Sequence, residues 1–245
     1  MYDSRLYLRL PRVLLDEFQE GDSVILSSEE AHHLKVRRVG LNETFLVTDG
    51  RGREGVCRLI SLEPPRLRVE RVSKPLEREL SSPPILAFAV VKDPKLEWAV
   101  RCAVEAGIRE LLPVVTSRSL PGVSPAKVKR WQRVAIEAMK QCGGVITPRV
   151  MDPLPLHQLK MWRGGFLSTA APSLLVEEGW NSVELLVVGP EGGFAPEEER
   201  MMREWGWGSY GLGARVLRTG TAVVTVSALV AQGRWSERRG HTPGD

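Results

Sequence analysis

Leu185-Leu186-Val187-Val188-Gly189-Pro190-Glu191-Gly192-Gly193-Phe194 reads as an apolar strand running straight into a glycine-rich turn. A second stretch, Leu212-Gly213-Ala214-Arg215-Val216-Leu217-Arg218-Thr219-Gly220-Thr221-Ala222, reads as a short apolar piece, a turn and the start of an apolar helix. Glycine lets the main chain take positive φ and lets a ligand approach with no side chain in the way. Open α/β sheets bind ligands at the carboxyl ends of their strands, so two such loops on neighbouring strands can form one pocket. Taken by itself, a Gly-Pro-Glu-Gly-Gly stretch is equally a plain turn.

Strands and helices alternate around these loops, which predicts an α/β domain with a largely parallel sheet over residues 85–233. Residues 85–91 form a continuous apolar strand. Asp93 and Pro94 then open a helix that Gly107 ends, with Leu96, Ala99, Val100, Ala103 and Val104 on one face. Ser124 and Pro125 open a second helix. Its buried stripe is Trp131, Val134, Ala135, Ala138, Met139 and Cys142, and Lys129, Arg130, Arg133 and Lys140 lie on a basic side. Pro196 with Glu197, Glu198 and Glu199 opens a third, acidic residues suiting the positive end of the helix dipole. Residues 222–231 are apolar all round, which predicts burial against the same domain or a partner subunit.

Residues 1–72 have little helical periodicity. Residues 44–48 and 55–60 flank Asp49-Gly50-Arg51-Gly52 as a hairpin, and 67–72 alternate as a strand. Ser28 can cap a short helix carrying His32 and His33. A small β-barrel is expected, followed by a proline-punctuated linker at 73–84 and, after the α/β domain, a polar tail at 234–245.

The chain has 245 residues, 42% hydrophobic and 26% charged, the mix of a globular protein with room for two modest domains. No apolar run reaches the roughly 18 residues a membrane span needs. Met1-Tyr2-Asp3-Ser4-Arg5 lacks the apolar core of a secretory signal, so a cytoplasmic location is expected. Cys57, Cys102 and Cys142 lie far apart, which predicts buried, reduced thiols and no metal site. Between Lys92 and Arg149 eleven cationic side chains face five acidic ones, an excess larger than the whole chain's +4. Such a stretch can neutralise phosphates or simply solvate helix faces.

Five ordered motifs resemble one family. They are His32-His33-Leu34-Lys35-Val36-Arg37-Arg38, Lys92-Asp93 through Gly107, Arg130-Trp131 through Gly143, and the two glycine loops. Together they resemble the knotted (SPOUT) RNA methyltransferases, and within them the family that methylates N3 of a uridine in 16S ribosomal RNA. The resemblance implies a PUA-like RNA-binding barrel, then a SPOUT-type knotted α/β methyltransferase domain that pairs as a homodimer. It implies S-adenosyl-L-methionine as cofactor, and 16S rRNA or the assembled small subunit as partner. The implied cofactor pocket comprises Leu167, Ser168, Thr169, Gly189, Pro190, Glu191, Gly192, Gly193, Leu212, Gly213, Leu217, Arg218, Thr219 and Ala222.

Methylation at N3 needs the uracil imide to lose its proton. Arg218 is the candidate for holding negative charge on the uracil oxygens or a phosphate, and Glu191 is the nearest candidate base, with capping of backbone amides as its alternative role. RNA-contact candidates are His33, Lys35, Arg37, Arg38, Lys92, Lys95, Arg118, Arg130, Lys140 and Gln141. Three positions depart from the family: Gly220 stands where Glu is usual, Gly144 where Arg is usual, and Ala106 where Leu is common. The loss of a carboxylate at 220 also fits a protein that binds RNA without methylating it, or an enzyme acting on another RNA position.

Overall fold

The computed structural model describes residues 10–171, 174 and 183–240. The stretch 1–5 and residues 241–245 of the expected tail lie outside them. The chain forms two compact units: one holds the residues up to Glu79 with Ile136–Thr147, the other Leu80–Ala135 and the chain from Pro148 on.

The first unit contains β1 (Arg12–Leu14), β2 (Ser23–Ile25), α1 (Ser28–Val36), β3 (Thr44–Thr48), β4 (Glu54–Leu62) and β5 (Pro65–Ser73). They pair in the order β1-β3-β4-β5-β2, with β1 parallel to β3 and the rest antiparallel. β1 and β2 end this path, so among the described residues the barrel is an open one. The expected hairpin is β3–β4, with Thr48 opposite Glu54. Asp49 Oδ1 closes its turn by accepting from the amides of Arg51 (2.8 Å) and Arg53 (3.0 Å). Gly50 and Gly52 supply the positive φ it needs, +67° and +105°. Ser27, not Ser28, caps α1: its Oγ accepts from the Glu30 amide at 3.2 Å, which makes Ser28 the first helical residue.

Glu54 is fully buried in this unit and binds two guanidiniums, Arg12 at 2.8 Å and Arg78 at 2.6 Å. Arg12 Nη1 also donates to the Lys140 carbonyl at 2.8 Å, and Arg78 to that of Gly143 at 3.3 Å. Glu79 accepts from the amide of Val145 at 2.7 Å. These bonds explain why residues 136–147 belong to the first unit.

The second unit holds β6 (Ile85–Ala89), α2 (Leu96–Glu105), β7 (Glu110–Val115), α3 (Pro125–Cys142), β8 (Arg149–Val150), β9 (Leu154–Pro155), β10 (Gly164–Leu167), β11 (Leu185–Val188), α4 (Pro196–Glu204), β12 (Gly208–Tyr210) and α5 (Thr219–Gly240). The last turns of α3 belong to the first unit. The sheet runs β12-β10-β11-β6-β7-β8, with β9 also on β7, and every pairing is parallel. α2 buries the five expected residues and ends at Gly107 (φ +98°). Asp93 caps the turn before it, accepting from the Lys95 amide at 2.8 Å.

The structure corrects three readings of the helices. Cys142 is exposed and Cys102 half-buried, so of the three thiols only Cys57 is fully inside, where burial pushes its pKa up to about 12. Lys140 is not on an open basic face: it is 5% exposed and paired with Glu30 and Glu137. α5 continues to Gly240, through residues expected in the polar tail; within the chain Val223, Val226 and Val230 are inside and Ala228 is exposed, so burial against the same domain alone does not cover its apolar surface. α5 packs on α2, β6 and β11. Among the described residues, no helix is long and apolar enough to cross a membrane.

Candidate active site

β10, β11 and β12 are parallel neighbours, so their carboxyl ends share one edge of the sheet. The loops that follow them enclose a cavity of about 240 Å³. Leu167, Ser168 and Thr169 come from the first loop, Gly189, Pro190, Glu191, Gly192 and Gly193 from the second, and Leu212, Gly213 and Leu217 from the third, with Ala222 from α5.

The glycines divide into two kinds. A Cβ on Gly189 would sit 2.9 Å from the Phe194 ring, so that glycine lets the ring pack beneath the loop. A Cβ on Gly192 would meet only Arg118 Cδ at 3.7 Å, and one on Gly193 or Gly213 nothing within 4 Å. The second group therefore keeps the cavity open rather than serving the core. Gly193 (φ +70°) donates to the Pro190 carbonyl at 2.9 Å and closes the turn.

The loop is fixed from two directions. Thr219, at the start of α5, donates its hydroxyl to the Gly189 carbonyl at 3.0 Å, and its amide to Glu191 Oε1 at 3.2 Å. Glu191 thus caps the first turn of α5, which is the alternative role weighed for it. Arg118 Nη1 donates to the carbonyls of Gly192 (2.7 Å) and Phe194 (3.2 Å), so this side chain braces the loop. Glu198 holds the start of α4, accepting from the amides of Ala195 at 2.9 Å and Ser117 at 2.7 Å.

Arg218 and Thr219 are not walls of the cavity. Arg218 is exposed at the entry to α5, and Thr219 is buried beneath the loop. Six wall residues were not anticipated: Val188, Phe194, Glu199, Tyr210, Arg215 and Val216. Val188 and Tyr210 are strand ends, a position that marks them once the strands are assigned. Glu199 accepts from Arg203 Nη2 at 3.2 Å, a pair visible in i,i+4 spacing, and from Ser168 Oγ at 3.1 Å, a contact that spacing does not show.

Gly220 is buried, and a Cβ there would lie 3.1 Å from Asp93 Oδ2. Asp93 therefore sets a carboxylate against the turn that Gly220 occupies.

Among the RNA-contact candidates, His33, Arg37, Lys140 and Gln141 line a separate cavity in the first unit. Lys35, Arg38, Lys92 and Lys95 are exposed, and Arg130 is paired with Glu97 at 2.7 Å. No group of acidic, histidine and cysteine side chains that could hold a metal occurs among the described residues.

Comparison with known proteins follows the same division. A family model described as an RNA methyltransferase domain matches residues 78–231, and one described as an RNA methyltransferase PUA domain matches 25–70. A ribosomal RNA small subunit methyltransferase E from Aquifex aeolicus is 29% identical over 89% of this chain and 98% of its own. A protein of the same name from Synechocystis is 30% identical over 85% of this chain and 72% of its own. A crystal structure of such an enzyme from Neisseria gonorrhoeae, bound to S-adenosyl methionine, superposes with a TM-score of 0.84 at 27% identity, covering 91% of this chain and 97% of that one. The fold is that of the SPOUT methyltransferases, preceded by a PUA-like domain.

Proposed function

The chain belongs to the RNA methyltransferase family, and from that premise we propose that it methylates N3 of a uridine in the 16S rRNA of the small ribosomal subunit, using S-adenosylmethionine. The observation that carries this reading is the open, glycine-walled cavity at the carboxyl ends of three parallel strands. Its residues fit the cofactor. Gly192, Gly193 and Gly213 present bare main chain, and about 240 Å³ approaches the lower end of the roughly 300–1,000 Å³ of small-molecule sites. When bound, the cofactor supplies an electrophilic methyl group on a sulfonium.

The chain's own residues supply alignment and charge. Methyl transfer is an in-line displacement, so holding the acceptor nitrogen in place is the main task. The uracil imide attacks well only after losing its proton, and the charge then spreads over its oxygens. Arg218 is exposed at the entry to α5, beside the third loop, and supplies a guanidinium for those oxygens. Glu191 uses Oε1 on the Thr219 amide, which leaves Oε2 as a candidate proton acceptor. The exposed cations Lys35, Arg37 and Arg38, at the end of α1 and just past it, hold the RNA. We infer that the enzyme acts as a homodimer in the cytoplasm, with the incompletely buried face of α5 in the dimer interface.

Transfer of labelled methyl groups to small subunits lacking this modification tests the reading. Label in 16S rRNA is expected. RNA binding without label would favour the non-catalytic reading. Replacing Arg218 by alanine is expected to cut turnover by about 10²–10³ with cofactor affinity unchanged, since it removes a donor to developing charge. An unaltered kcat would take Arg218 out of the chemistry.

A further inference from the structure

The second cavity, of about 220 Å³, lies wholly in the first unit. Its polar wall is Arg12, His33, Arg37, Glu137, Lys140 and Gln141. Two of its cations are buried and compensated: Arg12 by Glu54 at 2.8 Å, Lys140 by Glu30 at 3.2 Å and Glu137 at 2.7 Å. Arg37 is different. It is exposed at the end of α1, and among the described residues its guanidinium has no carboxylate partner and the Gln141 amide no hydrogen bond. The wall thus carries one guanidinium without a carboxylate partner and a set of unused donors.

His33 completes it. Its Nδ1 is 3.7 Å from Glu137 Oε2. Burial, then Lys140 and more weakly Arg37, favour the neutral ring, while Glu137 and Glu30 oppose them. Arg12, from β1, is the other charge in the wall. The volume is many times the roughly 30 Å³ one water occupies, so the space suits a phosphodiester better than a bare ion.

We propose that this cavity takes one backbone phosphate of the RNA substrate, gripped by Arg37 and Gln141, with His33 taking up a proton from solvent as the phosphate enters. The inference rests on the RNA-methyltransferase reading above. An anion beside His33 offsets the repulsion from Lys140 and Arg37, so the ring protonates more readily in the complex than in the free protein. RNA affinity should therefore rise as pH falls from about 8 to about 6, through the range where imidazole titrates.

Binding of a 16S rRNA transcript across a salt series, with calorimetry in two buffers of different ionisation enthalpy, tests this. The wild type is expected to take up a fraction of a proton near neutral pH, and His33→Gln none. Arg37→Ala is expected to weaken binding about tenfold and reduce the slope of log K against log salt by about 0.9. Gln141→Ala should weaken binding and leave the slope unchanged. A wild-type slope and affinity in Arg37→Ala would overturn the proposal, as would inorganic phosphate binding there without affecting RNA affinity. A wild type that binds no RNA would instead overturn the reading on which the proposal rests.

Discussion

Glu54→Gln is expected to cost the first unit about 3–5 kcal/mol of stability, the penalty of leaving a buried charge without its partner. Glu54 is fully buried and is the carboxylate partner of Arg12, itself 1% exposed, and of Arg78. Glutamine has nearly the same shape, so the change removes charge and little packing. The guanidinium of Arg12 would keep its bond to the Lys140 carbonyl but lose its counter-charge. Hydrogen exchange at the amides of β3 and β4 reads the effect directly, because this unit contains no tryptophan. Protection lowered in β3 and β4 and retained in β6 and β7 is expected. Unchanged protection would mean that the network contributes no net stability.

The second large effect concerns ligand binding. Gly192→Trp is expected to lower S-adenosylmethionine affinity by about 100-fold or more, or about 2.7 kcal/mol. Gly192 is exposed on the cavity wall, and a Cβ there makes only an ordinary contact with Arg118. The substitution should therefore be tolerated by the fold while its ring competes for the ligand's space. Titration calorimetry checks it, with a thermal melt to show that the variant is folded. Unchanged affinity would remove the 189–193 loop from the binding site.

Parts of each unit were legible because local chemistry and tertiary structure agree there. α2 shows its complete buried face in the spacing of five apolar residues, and Gly107 marks its end. The β3–β4 turn is written in Asp49, Gly50 and Gly52. Twelve wall residues of the 240 Å³ cavity follow from the family resemblance, which rests in part on the two glycine loops.

What was illegible depends on partners remote in sequence. The periodicity of α3 runs unbroken to Cys142, and nothing in it shows that the Lys140 carbonyl is held by Arg12 or that Glu79 holds the following loop. Lys140 looked solvated because a lysine on a helix usually is; Glu30, from a different helix, reverses that. Ser27 and Ser28 are chemically equivalent caps, and only the chain's path chooses between them. Gly220 shows in sequence only as a missing carboxylate, and its closeness to Asp93 is set by the packing of two helix starts remote in sequence. Threading of a last helix leaves no periodic trace, so the knotted fold came from resemblance alone.

The most direct test of the central claim is nucleoside mass spectrometry on small subunits lacking the native modification, after incubation with the protein and labelled S-adenosylmethionine. Labelled N3-methyluridine from 16S rRNA is the predicted product, and would show that Gly220 with Asp93 beside it is compatible with turnover. A different labelled nucleoside would keep the fold and contradict the assigned atom. No label in RNA that the protein still binds would contradict catalysis itself.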